Sequence, residues 1–211
     1  MFRFRHPFSM IIAGPTMCGK SKFVSKLLAT QWSIIPAPRK VCWFYGVENI
    51  KQQQKLERTS LYDIAFYQGI PSLDVLEPDT LVILDDLMSD VSKSIDIAQL
   101  FTRGVHHKNI SVILIVQNLF HQGKKSRDIS LNTNYFVLFK NPRDSSQINT
   151  LARQIFPYRK GYLQDAFQKA TSEAHGYLLI DLTQKTSENL RLMSNILPPH
   201  VFHYHVPENK N

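Results

Sequence analysis

One short glycine-rich segment limits what this sequence can fold into more than any other feature. Residues 14–21 read G-P-T-M-C-G-K-S, which matches the pattern G-x-x-x-x-G-K-[ST] of loops that wrap nucleotide phosphates. In such a loop the backbone N–H groups point inward, and a glycine at each end tolerates the dihedral angles that this requires. An apolar run at 8–13 predicts a buried strand before the loop, and residues 20–32 predict an amphipathic helix after it. We therefore expect a nucleotide site at a strand-to-helix junction.

The residue types at the end of this segment suit a triphosphate with its magnesium ion. We expect Lys20 to supply a cation to the β- and γ-phosphates in catalysis, and the hydroxyl of Ser21 to bind Mg²⁺. The helix that follows directs the positive end of its dipole at the same phosphates. The predicted cofactors are thus ATP and Mg²⁺. The residues expected to bind the nucleotide are Gly14, Pro15, Thr16, Met17, Cys18, Gly19, Lys20 and Ser21.

Carboxylates and an amide follow two later apolar runs. Residues 81–86 read L-V-I-L-D-D, which is typical of a central strand that carries a carboxylate to the phosphate loop. We expect Asp85 to hold Mg²⁺, directly or through water, and Asp86 to orient or deprotonate the attacking water. The run at 110–116 ends at Gln117, and polar residues at the carboxyl ends of parallel strands face the ligand crevice. Gln117 is therefore a candidate to sense the γ-phosphate or to hold the water.

Phosphoryl transfer also needs positive charge against the transferring group. Arg103, Arg127 and Arg143 lie between or after these strands. We rank Arg127 first, as a finger supplied by a neighbouring subunit, because it lies on the connection between the Gln117 strand and the apolar run at 135–139. The other two arginines stay open as alternatives.

Apolar runs alternate with segments of helical periodicity along the chain. Continuous apolar runs predict strands buried on both faces, so the predicted fold class is α/β: a P-loop NTPase whose mostly parallel sheet is covered by helices on both faces. Residues 1–206 are predicted to form one ATPase domain, with 207–211 as a polar tail. Further strands are predicted at 41–45, 64–67, 135–139, 177–182 and 191–196, the last two as a hairpin. Further helices are predicted at 48–60, 94–105 (closing at Gly104), 145–155 and 162–170, with a loop at 34–39 and a basic cluster near a turn at 124–127.

Charge is distributed unevenly along the chain, whose formal net charge is +8. Residues 1–60 and residues 100–160 each contain ten Lys or Arg against two Asp or Glu, whereas residues 61–99 contain one against eight. Basic blocks suit a polyanionic partner such as nucleic acid. A solvated surface with scattered lysines accounts for the charge equally well.

Composition argues against several other classes of protein. A hydrophobic fraction of 43% supports a folded core, and 20% charged residues are too few for a disordered tail protein. No apolar run approaches the length that spans a bilayer, so we expect no integral membrane segment. Two cysteines, Cys18 and Cys42, cannot form a disulfide framework or a zinc site alone, which favours an intracellular protein.

With these residues identified, the chain resembles the FtsK/HerA superfamily of DNA-pumping ATPases over roughly residues 8–198. It is similar in particular to the compact genome-packaging ATPases of poxviruses, Maverick/Polinton elements and adintoviruses. The stretches that carry this closer resemblance read F-T-R-G-V-H-H at 101–107, S-V-I-L-I-V-Q-N at 111–118, I-S-L at 129–131, Y-F-V-L-F-K at 135–140 and N-P-R-D at 141–144.

The resemblance implies a RecA-like core, a homo-oligomeric ring of five or six subunits, and double-stranded DNA threaded through its centre without sequence recognition. By position, the superfamily's nucleotide loop corresponds to residues 14–21 and its Walker B pair to Asp85 and Asp86. Its sensor corresponds to Gln117 and its trans-acting arginine finger to Arg127. The chain departs from the superfamily at Asp86, where a glutamate is usual, so the shorter side chain must reach the water from a different backbone position.

The function that the resemblance implies is ATP-driven translocation of double-stranded DNA in viral genome packaging, with capsid proteins as further partners. Its setting would be the host-cell nucleus or cytoplasm, and the virion. Two alternatives stay open. A P-loop nucleoside or nucleotide kinase would need an arginine-rich lid and an acceptor pocket, which the sequence does not identify. A nucleotide-gated assembly protein would bind ATP without turnover.

Overall fold

A computed structural model describes residues 2–70, 72–85, 87, 95–119, 124–199 and 203–205. The strands are β1 (Phe4–Arg5), β2 (Ser9–Ala13), β3 (Ile34–Ile35), β4 (Lys40–Tyr45), β5 (Ile64–Gln68), β6 (Thr80–Asp85), β7 (Ser111–Val116), β8 (Tyr135–Phe139), β9 (Tyr177–Asp181), β10 (Leu192–Ser194) and β11 (His203–Tyr204). The helices are α1 (Lys20–Leu28), α2 (Ile50–Thr59), α3 (Ile95–Gln99), α4 (Val105–His107), α5 (Lys124–Leu131), α6 (Ser146–Ile155) and α7 (Lys160–Ala170). A π-helical turn at Leu100–Gly104 joins α3 to α4, and 3₁₀ turns lie at Leu73–Val75 and Glu188–Leu190.

Nine of the described strands form one sheet in the order β11-β10-β9-β8-β2-β7-β6-β4-β5. The strands from β5 to β8 in that order run parallel to their neighbours, and β9, β10 and β11 continue the sheet in antiparallel fashion. This arrangement confirms the predicted mostly parallel α/β sheet. It also confirms the predicted hairpin, since β9 and β10 pair directly.

The central strands are buried on both faces, which explains their continuous apolar sequences. Every residue of β2, β7 and β8 is buried. Alternate side chains of β2 serve different cores: Ile11 and Ala13 pack with the helices of one face, and Met10 and Ile12 with those of the other. Such double burial leaves no face free for polar residues, so polar groups are confined to the strand ends.

Helices cover the two faces unequally. One face carries α3, the π-helical turn, α5, α6 and α7, whose apolar side chains share a single core. The other face carries α1 and α2 together with the N-terminal segment. Helix α1 buries Phe23, Val24, Leu27 and Leu28, as predicted, whereas α2 buries only Leu56 and is otherwise a solvated helix. No helix among the described residues is both long and apolar enough to cross a membrane.

Three predicted elements differ from the structure. Helix α1 ends at Leu28, short of the predicted residue 32, where Trp32 has a φ of 63° that a right-handed helix does not contain. The helix predicted to close at Gly104 continues to His107, since Gly104 keeps helical dihedral angles within the π-helical turn. The predicted loop at 34–39 includes β3, which pairs with β1 in a separate two-stranded ribbon.

The basic cluster at 124–127, which was predicted to lie near a turn, begins helix α5, a helix that was not predicted. Its sequence K-K-S-R-D-I-S-L offers Ile129 to the core, while Leu131 is largely exposed. With so little apolar periodicity, the segment does not display the pattern by which an amphipathic helix is usually recognised.

An aromatic cluster anchors the N-terminal segment at the amino ends of the central strands. Phe4 and Phe8 contact the ring of Tyr135, with centroid distances of 5.0 and 5.7 Å. Nearby, the imidazole of His6 is buried, and its Nδ1 lies 2.5 Å from the hydroxyl oxygen of Ser111 at the start of β7. Its Nε2 has no hydrogen-bond partner among the described residues. Burial lowers the pKa of His6, and the charge of Asp79 opposes this only in part.

The burial of His6 predicts a loss of stability in mild acid. As pH falls through the ordinary histidine value of 6.5, the unfolded chain takes up a proton that the folded chain refuses. The free energy of unfolding should then fall by at most about 1.4 kcal/mol per pH unit from this one group. Urea unfolding at pH 7.5 and pH 5.5 should show a smaller loss for His6→Gln than for the wild type. The control variant His107→Gln, at an exposed position, should lose as much stability as the wild type. If His6→Gln also loses as much as the wild type, the prediction is wrong.

Candidate functional site

The glycine-rich loop connects the central strand β2 to helix α1 at the carboxyl edge of the sheet. Glycine is required at both ends for steric reasons. A Cβ atom on Gly14 would lie 2.7 Å from Cys18 Sγ and 2.7 Å from Phe139 Cβ. Gly19, the residue before α1, has a φ of 115°, a backbone conformation that side chains disfavour. The sequence therefore folds locally into a tight loop that ends at the N-terminus of a helix.

The ammonium group of Lys20 lies across this loop. Its Nζ donates hydrogen bonds to the carbonyl oxygens of Gly14, at 2.5 Å, and Pro15, at 2.8 Å. A cation is thus held where the loop meets the first turn of α1, and the unpaired N–H groups of that turn add positive potential. The combination suits an anionic ligand with several oxygens.

A cavity of about 340 Å³ opens beside the loop. The loop and the first turn of α1 form one wall, the ends of β6 and β7 a second, and the segment from β4 into α2 a third. The polar residues lining it are Thr16, Lys20, Ser21, Tyr45, Glu48, Asn49, Gln52, Gln53, Asp85 and Gln117. Six residues predicted from sequence therefore line one cavity: Thr16, Met17, Lys20, Ser21, Asp85 and Gln117.

Strand register explains why these residues meet. Asp85 lies opposite Ile115 of β7, and Val116 lies opposite Ala13 of β2. The phosphate loop, Gln117 and Asp85 therefore leave the sheet at the same edge, although β7 separates β2 from β6. Asp85 is partly buried and Gln117 is exposed.

The residues present fit a magnesium ion bound together with phosphate. Mg²⁺ usually takes one or two protein oxygens and completes its shell with water and phosphate oxygens. The Ser21 hydroxyl and the Asp85 carboxylate both line the cavity and are oxygen donors of the required kind. No cluster of three or more His, Cys, Asp or Glu side chains that could hold a metal alone occurs in the described part of the chain.

Two predicted catalytic residues cannot be placed relative to this cavity. Asp86 lies outside the described residues. Arg127 lies on α5, within the connection from β7 to β8 as predicted, but its side chain is outside the described part of the structure. Of the two alternative arginines, Arg103 lies on the π-helical turn and Arg143 precedes α6, and both are exposed. The roles assigned to these four residues stay predictions.

A second cleft, of about 440 Å³, borders the loop on the side away from Asp85, toward β8 and β9. His175 Nδ1 donates to the carbonyl oxygen of Cys18 at 3.0 Å and so ties the loop to the start of β9. Burial raises the pKa of the Cys18 thiol, which does not favour a reactive thiolate. The charged and imidazole side chains that line this cleft are Lys22, Lys26, Lys169, Glu173, His175, His203 and His205.

Gln117 also borders a third cleft, of about 270 Å³, between the loop and the start of α6. Beyond Gln117, the backbone N–H of Leu119 donates to Gln147 Oε1 at 2.6 Å, and Gln147 Nε2 donates to Asp144 Oδ2 at 2.6 Å. Hydrogen bonds from Ser146 and Gln147 lower the pKa of Asp144. The strand end that carries Gln117 is thereby linked to the N-terminus of α6.

The third wall of the cavity, above all Glu48, was not predicted from the sequence. Gly46 donates its backbone N–H to the carbonyl oxygen of Asp85 at 3.1 Å, and Tyr45 pairs with Asp85 in the sheet. Glu48 follows the apolar strand β4 by three residues, and an acidic residue near a strand end is the same kind of signal as Asp85, the last residue of β6. That signal was present in the sequence, but its meaning depends on β4 lying next to β6.

Comparison with solved structures shows which fold surrounds this cavity. The chain is similar to B204, the DNA-packaging ATPase from Sulfolobus turreted icosahedral virus, with a TM-score of 0.57 and 10% identity over 86% of this chain and 96% of that chain. It is also similar to the genome packaging NTPase B204 from Sulfolobus turreted icosahedral virus 2 in complex with AMP. The TM-score is 0.56 and the identity 10%, over 85% of this chain and 95% of that chain.

The complex of the same protein with ATP-gammaS gives a TM-score of 0.53 and 12% identity over 85% of this chain and 94% of that chain. Neither models of protein families nor curated protein sequences give a match to the chain. At such low identity the similarity shows the fold alone, a mostly parallel α/β sheet of the P-loop ATPase kind, and this confirms the predicted fold class.

The backbone of the loop predicts the effect of a small substitution. In Gly19→Ala the new methyl group meets a φ of 115° and approaches Phe139 to 3.3 Å, so the loop must strain or change shape. A strain of about 1–3 kcal/mol should weaken ATP binding by roughly tenfold or more. Titration with a fluorescent ATP analogue would measure this loss.

The matched control is Gly161→Ala on α7, where nothing lies within 4 Å of the added atom. It should leave ATP affinity unchanged and should not lower the melting temperature, since alanine favours a helix. Equal ATP affinity for Gly19→Ala and Gly161→Ala would contradict a role of this loop in binding.

Proposed function

We propose that this protein is an ATP hydrolase that moves double-stranded DNA, and that its task is the packaging of a viral genome. The observation that carries the proposal is the meeting of Lys20, Ser21, Asp85 and Gln117 in one cavity at the carboxyl edge of a parallel sheet. A triphosphate on the loop would present its γ-phosphate to Gln117. Its Mg²⁺ would be held by Ser21 and Asp85.

The roles of these side chains follow from charge. Lys20 would turn from the loop carbonyls to the β- and γ-phosphates and offset the negative charge that develops on the leaving ADP. Ser21 and Asp85 would hold Mg²⁺ on the other side of the phosphates, where it would supply further positive charge. Gln117, an amide that can both donate and accept, would hold the attacking water against the γ-phosphorus.

Two observations support DNA as the partner. The structural neighbour B204 is a DNA-packaging ATPase, and it covers 86% of this chain. In addition, exposed basic side chains concentrate around α6 and the turn into α7, where Arg153, Arg159 and Lys160 flank Tyr158, which is 98% exposed. Lysine and arginine on a surface bind the phosphate backbone without reading base sequence.

Under this proposal the protein works as a homo-oligomeric ring of five or six subunits around the DNA, in contact with capsid proteins. It acts in the nucleus or cytoplasm of the host cell and in the virion. The cavity of each subunit is open to solvent, so an arginine from the next subunit can reach the γ-phosphate. Arg127 is our first choice for that finger because α5 lies between the two strands that flank β2.

Steady-state ATP hydrolysis, measured with and without long duplex DNA, tests the proposed function. We expect hydrolysis that DNA stimulates, with stimulation that weakens steeply as salt rises because bound phosphates release counterions. Lys20→Ala should abolish turnover while the protein stays folded. Turnover that ignores DNA but transfers phosphate to a nucleoside would establish a kinase instead, and ATP binding without turnover would establish an assembly protein.

Mixing of inactive variants tests the trans arginine. Lys20→Ala subunits lack nucleotide chemistry but keep Arg127, whereas Arg127→Ala subunits keep the loop but lack the finger. If Arg127 acts on the neighbouring subunit, the mixture should recover part of the DNA-stimulated hydrolysis, because some interfaces then combine an intact loop with an intact arginine. Absence of recovery, together with full recovery for Arg103→Ala or Arg143→Ala mixtures, would reassign the finger.

A further inference from the structure

Glu48 stands in the nucleotide cavity without an assigned role. Glu48 and Asp85 are the acidic residues that line the cavity among the described residues. Glu48 makes no hydrogen bond or ion pair with another described residue. A carboxylate that faces a phosphate site and has no structural partner is available for chemistry.

The backbone on both sides of Glu48 is held in place. On one side, Gly46 donates to the carbonyl oxygen of Asp85 at 3.1 Å, which fixes the start of the loop against β6. On the other side, Asn49 caps helix α2, with its Oδ1 accepting from the N–H of Gln52 at 3.1 Å. Glu48 is therefore a side chain on a short segment anchored at each end, and not a residue at the tip of a loose loop.

The two carboxylates differ in what they can do. Asp85 is partly buried at the end of a strand and shares the cavity wall nearest β7, where it suits a metal ion together with Ser21. Glu48 is exposed and approaches the cavity from the adjacent strand β4, so it suits a mobile ligand such as water. One carboxylate and one hydroxyl suffice as protein ligands for a magnesium ion that also binds phosphate. Glu48 is therefore not needed as a magnesium ligand.

We propose that Glu48 is the general base of ATP hydrolysis, an inference that rests on the proposed function. A Glu48 carboxylate oxygen accepts a proton from water as the water oxygen forms a bond to the γ-phosphorus. The bond between the γ-phosphorus and the β,γ-bridging oxygen breaks, and ADP leaves with the electron pair. Lys20 offsets part of its charge, and Mg²⁺ held by Ser21 and Asp85 would offset more. Glu48 then returns its proton to solvent, so ATP and water give ADP, phosphate and one proton.

Glu48→Gln is the decisive variant, because glutamine keeps the size of the side chain and cannot accept the proton. The turnover number should fall about a hundredfold or more, the usual contribution of a general base. The dissociation constant for ATP should stay within about threefold of the wild type. The acid limb of the pH–rate profile, which reports protonation of the base, should be absent from the residual activity.

Two further variants complete the experiment. Glu57→Gln makes the same charge change at an exposed position of α2 and should retain wild-type turnover. Asp86→Asn tests the base predicted from sequence, and under this proposal it should retain more turnover than Glu48→Gln. All variants are assayed as the full chain with long duplex DNA, and thermal unfolding confirms that each is folded.

The outcomes separate the inference from the function on which it rests. Without hydrolysis by the wild type, the proposed function itself fails. If the wild type turns over ATP and Glu48→Gln does so equally well, Glu48 is not the base. If added magnesium restores the turnover of Glu48→Gln, Glu48 is a metal ligand. If Glu48→Gln loses ATP affinity as much as it loses turnover, Glu48 is a binding residue. Either result overturns the proposal.

Discussion

Backbone hydrogen bonding between β2, β7 and β6 is the constraint on which the candidate site depends. It places Ala13 opposite Val116 and Ile115 opposite Asp85, so three separate chain segments leave the sheet at one edge. A slip of one residue would turn Asp85 to the other face, because side chains alternate along a strand. Burial of every residue in β2 and β7 on two faces penalises such a slip and so fixes the positions of the polar groups beyond the strand ends.

The hydrogen bonds that Lys20 makes to the loop set the interaction energy that a ligand of the loop must replace. Its two hydrogen bonds to the carbonyl oxygens of Gly14 and Pro15 involve a charged donor, and such bonds are worth roughly 1.5–3 kcal/mol each. A ligand that draws Lys20 away must replace both. A triphosphate can do so, since it offers several anionic oxygens to Lys20 while the N–H groups at the start of α1 hold the rest.

The sequence predicted those parts of the site that depend on local order along the chain. The loop, Asp85 and Gln117 were found because each follows an apolar run directly, and the strand ends of a parallel sheet meet at one edge. Glu48 was missed because its meaning depends on strand order, in which β4 lies beside β6 although β5 intervenes in the sequence. Helix α5 and the π-helical turn were missed for a related reason: their conformation is stabilised by packing against the sheet, which a local pattern does not record.

The walls of the cavity differ in burial in a way that suits the chemistry proposed for them. Ser21 and Asp85 extend from elements rooted in the buried core, and Mg²⁺ demands near-ideal octahedral geometry from its ligands. Glu48 and Gln117 are exposed, and the helix that follows Glu48 buries only Leu56. A water molecule tolerates small displacements of the groups that hold it, because hydrogen bonds are less directional than metal coordination. The fold thus roots the groups proposed to bind Mg²⁺ in the core and leaves the groups proposed to bind water at the solvent side.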